Sequence, residues 1–136
     1  MADQSLVESK FVASKSLTAR LVDEHFPLAA AYWERREERG GWILLLVPKS
    51  FEYERSLIDI VSSLLIDKPF RSVFSLSDVF VESRMIERAR ALGAYIRDED
   101  YVGRPIDTIF TGGHYFESVV PIYFAPQLLK HVRVAP

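Results

Sequence analysis

Where the apolar run Trp42-Ile43-Leu44-Leu45-Leu46-Val47 ends, Pro48-Lys49-Ser50 sets an ammonium and a hydroxyl at the point where a strand should give way to a helix. The unpaired N–H groups and the positive dipole end of a helix start attract anions, and a lysine adds a full charge. A phosphate-cradling loop also needs glycines, as in GxxxxGK[ST], and none lies here. Lys49 and Ser50 therefore mark a weak anion site. The simpler reading is Ser50 as a helix N-cap beside a solvated lysine. The second candidate is Gly112-Gly113-His114-Tyr115, a glycine turn that would let His114 and Tyr115 point into a cleft. Histidine titrates near neutral pH, but no GxSxG elbow accompanies it, so no catalytic residue is assigned. A surface turn is the simpler reading there too.

Asp98-Glu99-Asp100 is spaced like the opening of a cation loop. Counting from Asp98, the sixth position is Gly103, as an EF-hand requires, but the twelfth is Ile109 where a bidentate glutamate is needed. Pro105 also intrudes, so a solvated acidic loop is expected. His25, His114 and His131 share no HExxH or HxxxH spacing. The chain has no cysteine, which excludes disulfides and thiolate sites. No metal and no cofactor are expected. Glu34 to Arg39 mixes signs evenly and reads as a wet hairpin tip. Tyr32, Trp33, Trp42 and Tyr123 could line a pocket, although aromatics on strands are usually core or cross-strand pairs.

Gly40 to Pro48, apolar almost throughout, reads as the central strand of a sheet, covered on both faces. Ahead of it, Leu6, Val7, Phe11, Leu17, Leu21 and Val22 suit one stripe of a helix over Ser5 to His25, ended by Pro27. A strand over Leu28 to Arg35 would join the central strand as a hairpin. After it, Leu57, Ile58, Val61, Leu64 and Leu65 give the clearest helical stripe, from Phe51 to about Ile66. Next come a strand over about Leu76 to Glu82 and a short helix over Arg84 to Leu92. Ser83 would cap that helix and Gly93 would stop it at C′. Two last strands are expected, Ile106 to Thr111 and Phe116 to Phe124. Pro121 cannot donate to a ladder, so the final strand should lie at an edge or carry a bulge. A short tail from Pro126 through Leu128-Leu129 follows.

The resulting order is α-β-β-α-β-α-β-β. It predicts one α+β domain over residues 1–136, with a mixed, mostly antiparallel sheet of about five strands and helices packed on it. At 136 residues the chain can bury a sizeable core. Its 49% hydrophobic and 26% charged residues are those of a globular protein. A net charge of −2 makes nucleic acid an unlikely partner, because a phosphate-binding surface usually shows a basic surplus. Met1 to Ser5 shows no signal-peptide pattern and the apolar runs are short of a membrane span. The expectation is a soluble, cytoplasmic protein without membrane contact.

The pattern also resembles a group of small bacterial α+β proteins, some of them orphan cassettes of mobile genetic elements. The resemblance rests on Phe26-Pro27-Leu28 with Tyr32-Trp33, on Trp42-Ile43-Leu44, on a strand ending near Val81, and on Phe116-Glu117-Ser118-Val119-Val120-Pro121-Ile122-Tyr123. It implies a bacterial source but no activity and no residue role, since the group has none assigned. Aromatics reach 12% of the chain, more than a core of this size requires. The expected function is therefore a non-catalytic binding or interaction module acting as a homodimer, with a protein partner as its ligand. The alternative is a small enzyme or ligand-binding domain with a pocket at a strand–helix junction, using Lys49, Ser50, His114 and Tyr115.

Overall fold

The structure is a computed structural model that describes residues 6, 8–36, 38, 41–66, 73 and 76–131. Among the described residues three α-helices and five strands follow in the order α1 (Glu8–Asp23), β1 (Leu28–Arg36), β2 (Gly41–Pro48), α2 (Glu54–Leu64), β3 (Val79–Val81), α3 (Ile86–Tyr95), β4 (Ile106–Thr111) and β5 (His114–Phe124). The strands form one mixed sheet of order β3-β2-β1-β5-β4. β1 pairs antiparallel with β2 and β5, β5 with β4, and only β2 and β3 run parallel. The fold class is α+β, as the sequence predicted. The middle of the sheet, however, is β1 rather than the Gly41–Pro48 strand.

β1 wins that place because both of its faces are apolar. Tyr32 points to one side and Ala31 and Trp33 to the other, all of them inaccessible to solvent. On the Tyr32 side Ala89, Leu92, Ile96 and the C-terminal Leu128 and Leu129 cover the sheet. On the Trp33 side α1 supplies Leu17 and Leu21, and α2 supplies Leu57 and Val61. Two cores thus sandwich the sheet. Trp33 spends its single donor on Ser14, Nε1 to Oγ at 2.7 Å, so the indole pins α1 to the sheet without leaving a buried N–H unpaired.

Several ends differ from expectation for identifiable reasons. α1 stops before Pro27 because His25 turns left-handed (φ 60°). The Phe26 N–H donates to the Leu21 carbonyl (2.9 Å) and the His25 N–H to that of Val22 (3.0 Å), which is a Schellman cap. α2 is preceded by a 3₁₀ turn over Phe51–Tyr53, so the helix begins at Glu54 rather than Phe51. Ile58, expected in the core, is 38% exposed. β3 holds only three residues, after a 3₁₀ turn over Leu76–Asp78. α3 runs through Gly93 to Tyr95 instead of stopping there. A Cβ at Gly93 would stand 2.7 Å from the Leu128 carbonyl oxygen, so this glycine serves close packing and not a helix end.

β5 begins at His114, which leaves Gly112-Gly113 alone as the hairpin loop. Both glycines have positive φ (55° and 81°), as a two-residue turn matched to strand twist requires. Pro121 lies on an interior strand, and the sheet absorbs it with a bulge. Ala31 pairs Tyr123 and Tyr32 pairs Pro121, leaving Ile122 as the extra residue. Among the described residues no helix is long and apolar enough to cross a membrane.

Candidate functional site

The alternation that buries Tyr32 on one face of β1 carries Glu34 and Arg36 to that same face. Glu34 is not part of a wet hairpin tip: it sits within the strand and is 1% exposed. Residues 37 and 39 of the predicted tip lie outside the described residues. A carboxylate at such depth must be matched by charge. Arg36 grips it side-on, Nε to Oε2 at 3.1 Å and Nη2 to Oε1 at 3.2 Å. From α3 above, Arg88 Nη2 donates to Oε2 at 2.5 Å and to the Tyr115 carbonyl at 2.6 Å. Its guanidinium lies over the Phe116 ring, 4.0 Å from the centroid. Helix and both strands are thus tied at one point.

Around this point a cleft of about 490 Å³ opens, lined by Glu34, Arg35, Arg36, Glu38, Met85, Arg88, Tyr115 and Glu117. Arg35 and Glu117 form their own pair at 3.2 Å across the β1–β5 ladder. At the floor one carboxylate faces two guanidinia, and the lining as a whole carries three arginines against three glutamates. Among the described residues two buried polar atoms have no hydrogen-bond partner, Arg88 Nε and the hydroxyl of Tyr32, which lies in the core and does not line the cleft. Burial, reinforced by the Glu34 carboxylate, pushes the Tyr32 phenol well above its ordinary pKa. It is therefore a neutral O–H donor at any physiological pH.

The predicted site residues fall at opposite ends of the sheet. Pro48, just before Lys49, pairs with Leu28 at the start of β1, whereas Ser118 of β5 pairs with Arg35 near its end. Seven strand steps of about 3.3 Å put roughly 23 Å between the two ends. Lys49 is exposed and Ser50 half-buried. Ser50 makes no side-chain cap bond, and the turn behind it is 3₁₀ rather than α. Its hydroxyl donates only a long 3.4 Å contact to Glu52. His114 and Tyr115 are strand residues, half-buried and exposed, not a turn. Tyr115 does wall the cleft. His114 is not among its lining residues.

Glu34, placed in a hairpin tip, and Arg88 were not expected at a site. The signal was the continued period of two through Tyr32-Trp33-Glu34-Arg35-Arg36, which keeps the acid on the buried face. Arg88 had no such signal, because only the tertiary fold brings it 54 residues back to Glu34. The acidic loop is also engaged: Asp98 Oδ1 accepts the Asp100 N–H at 2.9 Å and Oδ2 meets Arg104 at 3.2 Å.

The hairpin wall of the cleft is also an outer edge of the sheet. β4 pairs only with β5 among the described strands. Phe110, 73% exposed, stands opposite Tyr115, 53% exposed, in the β4–β5 register. The single charge on β4, Asp107, is turned to its own neighbour strand and accepts the Ser118 hydroxyl at 2.5 Å. No family model, curated protein or solved structure matches the chain.

Proposed function

We propose that this protein is a non-catalytic binding module that acts as a homodimer, joined through the outer edge of β4. The observation that carries this reading is the state of that edge. A free edge strand offers unpaired N–H and C=O groups, and proteins that stay monomeric usually blunt it with lysine, proline or an outward charge. Within Ile106–Thr111 there is no lysine or proline, and Asp107 is spent on Ser118. The left-handed Thr108 (φ 48°) is the one irregularity in the strand. Phe110 adds a large exposed ring beside it. Two copies related by a two-fold axis present the same strand to each other antiparallel, so the edge is complementary to itself. The net charge of −2 opposes such pairing only weakly.

Glu34, the one deeply buried acid among the described residues, argues for binding rather than catalysis. Both Glu34 oxygens already accept guanidinium N–H groups, which leaves little room to take a substrate proton. Light scattering across a range of micromolar concentrations tests the dimer. A mass near twice 15.6 kDa is expected for the wild type, and a mass near 15.6 kDa for Phe110→Asp. A wild type that stays at the monomer mass throughout would remove the reading.

A further inference from the structure

β4 exchanges its two faces halfway along. Ile106 and Ile109, three residues apart, both pack into the core on the α3 side, which a regular period of two does not allow. Between them Thr108 is left-handed (φ 48°), and the ladder to β5 steps from Asp107–Ser118 to Ile109–Phe116. Asp107 before the break and Phe110 after it therefore both turn to the other side of the sheet, the side on which α1 and α2 pack. A cleft of about 460 Å³ opens there. The cross-strand row Trp42, Arg35, Ser118 and Asp107 lines it, with Pro105 and Val120 alongside.

We propose that in the dimer each Phe110 ring seats in this cleft of the other copy, an inference that rests on the reading of β4 as the dimer edge. Directly opposed residues of an antiparallel pair share a face, with Cβ atoms about 5 Å apart. Across the break at Thr108, the residues that share a face are those of unlike parity, such as Asp107 with Phe110 or Ile106 with Thr111. That is the pairing reached when the six residues of β4 overlap their two-fold copy over the full length. Asp107 then stands opposite Phe110 of the second copy, and Pro105 is the diagonal neighbour of the incoming ring. The Asp107 carboxylate leaves this space open because it is drawn to the Ser118 hydroxyl, 2.5 Å away. Arg35 and Glu117 neutralise each other at 3.2 Å. The ring meets Pro105 with Val120 behind it, and a side chain that is 73% exposed in the single copy becomes covered. The same strand thus carries the knob at one end and the mouth of the hole at the other, so each contact is made twice.

Light scattering on the full chain shows whether a dimer forms, and a monomer at every concentration removes the edge reading and this proposal together. In the dimer, a one-to-one mixture of isotope-labelled and unlabelled chains gives NOEs between copies. NOEs from the Phe110 ring to Pro105 and Val120 of the other copy are expected. Phe110→Ala and Pro105→Ala, at opposite ends of β4, should each raise the dimer dissociation constant. The double variant should fall short of the product of the two effects by roughly fivefold or more, because the pair touches only across the interface. Three results in a chain that does dimerise through β4 would overturn the proposal and leave the edge reading standing. They are Phe110 rings in contact with each other, Phe110 rings without NOEs to Pro105 or Val120, or two substitutions whose effects simply multiply.

Discussion

Glu34→Ala removes the acid on which β1, α3 and β5 converge, and its cost separates a buried charge cluster from a hairpin tip. Three guanidinium N–H groups lose their acceptor, two from Arg36 and one from Arg88. The arginine side chains are only 16% and 17% exposed, so neither regains full hydration where it lies. Breaking a buried pair by deleting one partner typically costs about 3–5 kcal/mol, because a charge is left uncompensated. Here the arginines keep some water, and Arg88 keeps the Tyr115 carbonyl and the Phe116 ring. The expectation is therefore somewhat below that range, about 2–4 kcal/mol. Urea unfolding at pH 7, read at constant m-value, measures it. A double-mutant cycle with Arg88→Ala should show coupling of about 1–3 kcal/mol. A loss below about 0.5 kcal/mol, the range of ordinary surface substitutions, would refute the buried cluster.

Other outcomes follow from single contacts. Leu57→Ala should cost about 2–5 kcal/mol by opening a cavity under α2, whereas Ile58→Ala, at a 38% exposed position one residue on, should cost well under half as much in the same melts. Gly93→Ala should destabilise by about 1–3 kcal/mol despite the better helix propensity of alanine, because the new Cβ meets backbone at 2.7 Å; a gain in stability would show that the tail gives way. The Glu54 carboxylate takes the Ser83 N–H and hydroxyl at 3.0 and 2.7 Å, which hold its pKa below the ordinary value. A depressed acid gives stability that is present above the unfolded pKa of about 4.3 and lost as pH falls through the folded value. Glu54→Gln should accordingly flatten the stability profile below about pH 4.5, and an unchanged acid limb would contradict the contact.

What the sequence made legible was the part that depends on period and punctuation. The β4 boundaries, the α2 stripe around Leu57 and Val61 and the bulge at Pro121 all follow from residue type and spacing. The site was less legible because it is assembled across the sheet. Lys49-Ser50 looked like an anion site only if an α-helix began there, and a 3₁₀ turn took its place. The charge-rich run at Glu34 invited a loop, yet the strand carries on because β5 pairs with it as far as Arg35 and β2 as far as Arg36. Gly93 looked like a stop because a glycine near a helix end usually is one. Its real reason, the approach of Leu128, is 35 residues away.

The proposed dimer rests on one strand, and backbone amide exchange reads that strand directly. In β4, the N–H groups not bonded to β5 are free in a monomer and paired across the two-fold axis in a dimer. Their exchange should slow as the protein is concentrated from below to above the dissociation constant, while Phe110→Asp keeps them fast throughout. Fast exchange at those amides in a sample that light scattering shows to be dimeric would place the interface elsewhere and contradict the account.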